Sequence, residues 1–367
     1  MSATPRRKKT IGASKVIAWL LLALSCASCK VYDPELVAQA CQLKSIPSRP
    51  APTGGDSKSD LVFVLANLEW LNQDGAATTR SYDLDGSCTR APNFDNACVT
   101  QDNLPIEDGE QGQDNVFAKR VTPFIFSVFP EAATNFQVAL EQGVGAVWAK
   151  VHNWNGEVND SEVQVDIAQT VFGVPGDLSS EVDPGQLGTP LDADWPYAPP
   201  IWNGDDHFWL RASDFFSGGL AKPRFVDDDA YISEGTLVAR IPDQFVLSFY
   251  DSERKLSVIL VNAYLIAEIS IPEQSILEAS IVGSWRRSDA LTALPDFGLC
   301  PDSVQVDFSA LQRFIDSNLD LYTTGGVGSS VPSCDALSIG LHFSAYRANT
   351  GGLHIAPDIN ACVGQGT

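Results

Sequence analysis

The chain has 367 residues, of which 44% are apolar and only 19% charged, with 28 glycines, 22 prolines and 18 phenylalanines; that balance describes a globular, turn-rich protein and excludes a mainly disordered or fibrous one. Its 46 acidic residues outweigh 24 basic ones, for a formal charge of −22. A surplus of that sign repels phosphate backbones, so nucleic-acid binding, which draws on Lys and Arg, is set aside.

The first 28 residues carry five basic side chains (Arg6, Arg7, Lys8, Lys9 and Lys15) and no acidic one, and residues 16–24 are wholly apolar. This is the form of a secretory signal peptide. The apolar run is too short for a membrane-spanning helix, which needs roughly 20 residues. Leu24-Ser25-Cys26-Ala27-Ser28-Cys29 then resembles a bacterial lipobox, with two cysteines competing for the lipid. Lipidation of Cys29 removes Cys26 and leaves Cys41, Cys88, Cys98, Cys300, Cys334 and Cys362, an even set for pairing; lipidation of Cys26 leaves an odd thiol in an oxidising compartment. Cys29 is therefore the expected anchor, with cleavage near Ala27 and free secretion as the alternative. The mature chain then carries 19 basic against 46 acidic residues, a balance of −27, and is placed in the cell envelope, in the outer membrane.

Residues 29–60 hold Pro47, Pro50, Pro52, Gly54 and Gly55 and read as a tether, which Cys41 would pin to the body. Residues 61–367 read as one β-rich domain. It opens on a buried strand from Leu61, with a turn at Asn72 to Gly75. A helix from Asp114 is expected to stop at Val121, before Pro123, and a second runs from Ala132 to Gln142 with Gly143 as its cap. Val147 to Val151 and Val163 to Ile167 alternate as strands about Asn155-Gly156. Residues 173–206, crowded with Pro, Gly, Asp and Trp, form a long surface excursion.

Further strands are expected at His207 to Ala212, Thr236 to Ile241, Phe245 to Tyr250, Leu256 to Ile271, Ile276 to Ser284 and Asp335 to Ala345. One late helix is marked by Val304, Phe308, Leu311, Ile315 and Leu319, with Asp302 or Ser303 at its start. This order predicts a mainly β fold: a large antiparallel sandwich, jelly-roll or lectin-like, with two or three packed helices. Six cysteines allow fifteen pairings; the local loop Cys88–Cys98 is the expected one.

Asp83-x-Asp85-Gly86 sets two carboxylates before a glycine turn. Asp114-Asn115 and Glu107-Asp108-Gly109 would bring more oxygens to it, a donor set suited to calcium. Ser87-Cys88 breaks any EF-hand pattern, and the plainer reading is a solvated hairpin turn. Trp195, Trp202 and Trp209, with Tyr197, Asp205, Asp206 and His207, have the makings of a sugar platform, or equally of a loop burying itself by its aromatics. Asp205 with Asp228 would serve a hydrolase if the fold brought them to glycosidase spacing. Ala336-Leu337-Ser338-Ile339-Gly340 is a loose nucleophile elbow, with His342 and His354 downstream, but the serine opens an alternating strand where a helix is required. Asp227-Asp228-Asp229 reads as a solvated turn.

Tyr82-Asp83-Leu84-Asp85-Gly86, Gly112-Gln113-Asp114-Asn115, Asn153-Trp154-Asn155-Gly156 with Asn159-Asp160, Asp229-Ala230-Tyr231 and Cys334-Asp335-Ala336-Leu337-Ser338 follow one another in this order. In this they resemble an uncharacterised group of secreted lipoproteins of the myxobacterial type. The resemblance implies location and architecture and brings no catalytic role. The expected function is that of a lipid-anchored, non-catalytic binding module for a glycan or a surface protein; the alternative is an extracytoplasmic hydrolase that uses carboxylates on polysaccharide.

Overall fold

The structure is a computed structural model. It describes residues 43–58, 60–69, 80–90, 93–94, 98–100, 106–183, 190–192, 194–270, 272–273, 275–301, 307–323, 332–359 and 361–362. Thirteen strands lie among them: β1 (Leu61–Leu68), β2 (Thr89–Arg90), β3 (Asn93–Phe94), β4 (Val147–His152), β5 (Asp160–Val174), β6 (His207–Arg211), β7 (Phe225–Ser233), β8 (Thr236–Ile241), β9 (Phe245–Tyr250), β10 (Lys255–Ser270), β11 (Ser275–Arg286), β12 (Ala336–Arg347) and β13 (Asn349–His354). The α-helices are α1 (Thr122–Val128), α2 (Ala132–Glu141), α3 (Arg287–Ala293) and α4 (Phe308–Asp316).

Eight strands close on themselves in the order β5, β4, β1, β12, β11, β10, β8, β7 and back to β5. Every pairing in that ring is antiparallel, and β5–β7 completes it, with Val165 opposite Asp227. The expected jelly-roll or lectin-like sandwich is thus corrected to a closed barrel. Closure satisfies the edge strands by pairing them with each other, which a sandwich cannot do. β9 is added outside the ring on β10, and β6 with β13 on the far half of β5.

The long strands make the closure possible by bending. In β10 the register slips between Val261 and Tyr264, and Asn262 at that point takes φ +49°, which marks a bulge that sharpens the twist. Gly283 faces the bend, where a Cβ would come within 2.6 Å of the Ala263 Cβ; only glycine lets the strands approach there. Phe63, Leu65, Ile167, Leu265, Ile281, Ile339 and Phe343 are buried in one continuous core.

Helix α2 appears where expected: Gly143 follows it at φ +75° and donates its N–H to Leu140 O at 2.9 Å. Its Phe136 packs on Phe249 of β9 and on Phe297. Pro123 does not stop the helix before it. Residues Phe117–Val121 wind as a π-type turn that runs into α1, with Pro123 just past the change from π to α winding, where the i→i−4 ladder is already interrupted. In α4, Leu311 and Ile315 are buried as the spacing predicted, and the cap is Asp307, which accepts from Ser309 N and Ala310 N; residues 302–306 lie outside the described set. The run Asp227 to Asp229 belongs to strand β7 and is no turn. Asp227 accepts from Arg240 N on β8, so one of its carboxylate oxygens is engaged by the backbone of the neighbouring strand.

From Leu43 onward the stretch expected to be a tether lies against the barrel. Lys58 N donates to Trp154 O at 2.8 Å, Thr53 N donates to Ser161 Oγ, Ser161 N donates back to Thr53 Oγ1, and Tyr231 Oη donates to Pro47 O. Arg49 pairs with Asp229 at 2.8 Å. Among the described residues two disulfides are present, Cys98–Cys334 and Cys300–Cys362, so the expected Cys88–Cys98 pair is not formed. Val99 N donates to Pro332 O and Cys334 N donates to Val99 O. This short parallel bridge brings Cys98 to Cys334 across 236 residues of sequence. Cys88 is half-buried, and Cys29 and Cys41 lie outside the described residues.

Candidate functional site: a carboxylate cluster and an aromatic groove

The segment Ser81 to Ser87 has no regular structure; its backbone is held by its own side chains and by two neighbours. Asp83 Oδ1 accepts from Gly86 N at 2.8 Å and Asp85 Oδ1 from Ser87 N at 2.8 Å, the Asx turns that aspartates before glycine and serine favour. Asp114, which precedes the π-type turn, reaches across to accept from Leu84 N at 2.7 Å. One carboxylate oxygen from each of Asp83, Asp85 and Asp114 then lies within 4.8 Å of the others. Two oxygens bound to one calcium ion at about 2.3 to 2.6 Å are at most about 5 Å apart, so the spacing fits a shared cation.

Asn115 does not join them. Its amide is engaged by the β12 backbone, donating to Gly340 O at 2.8 Å and accepting from Gly340 N at 3.0 Å.

Two further carboxylates adjoin these: Asp108, expected from the sequence to bring an oxygen to this place, and Asp320, which the sequence did not single out. Asp108 accepts from Thr89 N at 2.6 Å and is hydrogen-bonded to Asp114. Asp320 accepts from Ser338 N at 2.7 Å and from Ser338 Oγ. Burial first, and then neighbouring negative charge, pushes Asp108 up to about 7, Asp320 up to about 7 and Asp114 up to about 10. Asp83 is raised by burial and by Asp85. Carboxyls this close either retain protons or share a cation.

Ser338 is fully buried in mid-strand, and its Oγ meets Asp320 and the N–H of Val116. No helix follows it, so the elbow context is missing. His342 contacts Ser280 and Arg80.

The aromatic series from the excursion divides in two. Trp209 stacks on Phe172 at 4.9 Å and Trp195 meets Phe172 edge-on at 5.0 Å, with Tyr197 behind it; these form a small second core with Val171 and Val174. Trp202 stands apart. Its ring lies against Phe208 and Tyr346, its Nε1 donates to Glu141 O, and its backbone is left-handed at φ +57°, a conformation that is an outlier for a bulky residue.

Asp205 and Asp206 shape that loop. Asp206 Oδ1 accepts from Ile201 N, Asp206 O from Asn349 N, and Asp205 O from Asn349 Nδ2. Asp228 is far from both. Its neighbour Asp227 pairs with Val165, and His207, next to Asp206, pairs with Val174 of the same strand, a separation of about 30 Å along β5 at about 3.3 Å per residue. Asp205 and Asp228 therefore do not form a glycosidase pair.

Trp202 lines a depression of about 480 Å³, which shares Asn67, Val138 and Glu141 with an adjoining one of about 610 Å³. Asn67 sits at the bulge of β1, where the register against β12 slips, and it too is left-handed, at φ +51°. Its Nδ2 donates to Tyr346 Oη at 2.6 Å and its Oδ1 accepts from Gln137 Nε2 at 3.0 Å. Strand, helix and loop thus meet in one line of amides and rings. In the sequence only Trp202 carried a signal for this groove; Asn67, Gln137 and Tyr346 are ordinary residues until the fold joins them.

Compared with known proteins, the chain matches no family model, no curated sequence and no solved structure.

Proposed function

We propose that this chain is a lipid-anchored envelope protein, held through Cys29, whose barrel acts as a non-catalytic binding module for a glycan or a surface protein. The observation that carries the reading is the groove at Trp202. Two residues held in left-handed backbone, Trp202 and Asn67, converge there from distant parts of the chain. For a bulky residue such as Trp202 that conformation is strained, and such strain persists where surrounding structure enforces it and concentrates at ligand clamps. The two disulfides support an oxidising, extracytoplasmic address. Among the described residues no helix is long and apolar enough to cross a membrane.

Hydrolysis has less support, because Asp206 is engaged by the loop backbone and Asp205 is remote from Asp228. The test is fractionation of cells expressing the native chain, with radiolabelled palmitate, beside Cys29→Ser. Label in the envelope that disappears in the variant supports the anchor; label retained by the variant, or chain found only in the cytosol, removes it. Turnover of a polysaccharide by the purified protein would replace binding with catalysis.

A further inference from the structure

We infer that the groove between α2 and the Trp202 loop takes the uncharged face of a saccharide. This inference rests on the binding-module reading and names the ligand. Three observations converge on it. An indole and two proline rings, Trp202, Pro199 and Pro200, line one wall, an apolar surface of the size that the C–H face of a pyranose covers. The other wall presents Asn67 and Gln137, planar amides already aligned by their mutual hydrogen bond and by Tyr346. Amides and carboxylates in such a plane can donate to and accept from vicinal hydroxyls, which is the pattern of a few placed polar groups in a largely apolar site.

The third observation is charge. Neither depression is lined by Lys or Arg, while Glu69 and Glu141 face it. Anionic ligands therefore have nothing to pair with, whereas each carboxylate can accept two hydroxyl hydrogens. The floor follows α2 from Ala133 to Gln142, about 13 Å at 1.5 Å per residue, roughly the length of two or three sugar rings.

The test is calorimetric titration of the full chain with cellohexaose, maltohexaose and chitohexaose, with a polyproline peptide beside them. Binding of at least one of these neutral oligosaccharides is expected, weakened about tenfold or more in Trp202→Ala. Val138→Arg gives an independent check, because Val138 is exposed on α2 at the groove and a long side chain there blocks the site with the core untouched. Binding that survives Val138→Arg overturns the assignment. So does binding of the polyproline peptide alone, or of no oligosaccharide. If no oligosaccharide binds but a purified envelope protein does, the saccharide assignment falls and the binding-module reading stands; if neither binds, both fall.

Discussion

Replacing Asp320 by Asn should flatten the fall of stability with rising pH at the carboxylate cluster. Burial lifts the Asp320 carboxyl to about 7 in the folded chain, while an unfolded chain releases that proton near pH 4. Between those two values the folded state holds more protons than the unfolded one, so stability falls as pH rises. A displacement of about three units, at about 1.4 kcal/mol each, amounts to about 4 kcal/mol lost by this group between about pH 4 and about pH 7. Asn is nearly isosteric with the protonated acid and keeps one oxygen to accept from Ser338 N, now at 2.7 Å.

Below about pH 4 the variant should therefore match the wild type to within about 1 kcal/mol. Above about pH 7 it should be the more stable of the two by up to about 4 kcal/mol. The decline that remains belongs to Asp108, Asp114 and Asp83, each also raised by burial. The assay is urea unfolding of both proteins across that pH range with a chelator present. A wild-type stability that stays level or rises with pH, or a variant that keeps the wild-type slope, refutes the reasoning.

Calcium added near neutral pH should raise the melting temperature, by the equivalent of about 2.7 kcal/mol at a hundredfold excess over Kd, and Asp85→Asn should abolish the rise; identical melts with calcium and with chelator dismiss the cation reading. Non-reducing peptide mapping should recover Cys98 joined to Cys334 and Cys300 joined to Cys362, and Cys334→Ala should cost about 2 to 5 kcal/mol in denaturant unfolding. A peptide joining Cys88 to Cys98 would contradict the fold around Val99. Arg211 and Asp214 form a buried pair at 2.7 Å, with Gln169 bridging to the guanidinium. Asp214→Ala should cost about 3 to 5 kcal/mol because it strands the buried guanidinium, and a loss under 1 kcal/mol in the same assay would show that water enters the site.

Local pattern was legible where one stretch of chain decides its own structure. Strands β8 and β9 begin and end where their alternation begins and ends, and α2 stops at the glycine that its period requires. Three of the expected calcium ligands meet because the loop geometry at Asp83 and Asp85 is local and Asp114 is hydrogen-bonded to that loop. Closure was not legible, because it depends on β5 finding β7 after a long excursion, and β7 carries three aspartates, Asp227 to Asp229, that mimic a turn. Pro and Gly near residue 50 look the same in a tether as in a segment laid along a wall. The difference lies in Ser161 and Trp154, more than 90 residues away. Asp320 joins the cluster through Ser338, on a strand that is adjacent only in space.

The two sites divide the polar chemistry of the barrel along β12. Ser338, near its start, holds Asp320 among carboxylates that raise one another's pKa; Tyr346, near its end, holds Asn67 in a groove without basic residues. Cys98 ties the first site to the strand's beginning, since its partner Cys334 lies two residues before β12 and its sulfur approaches Asp320 O. A surface with a formal charge of −22 slows every anion that approaches it and concentrates cations around it. The cluster can use that field, because a divalent cation is drawn toward carboxylates whose mutual repulsion it relieves. The groove stands outside it, because a neutral polyol gains nothing from long-range attraction and is held by contact alone. Its affinity must then come from preorganisation, which is the physical sense of fixing Trp202 in a backbone conformation that a bulky residue would not choose by itself and of holding Asn67 by its bonds to Tyr346 and Gln137.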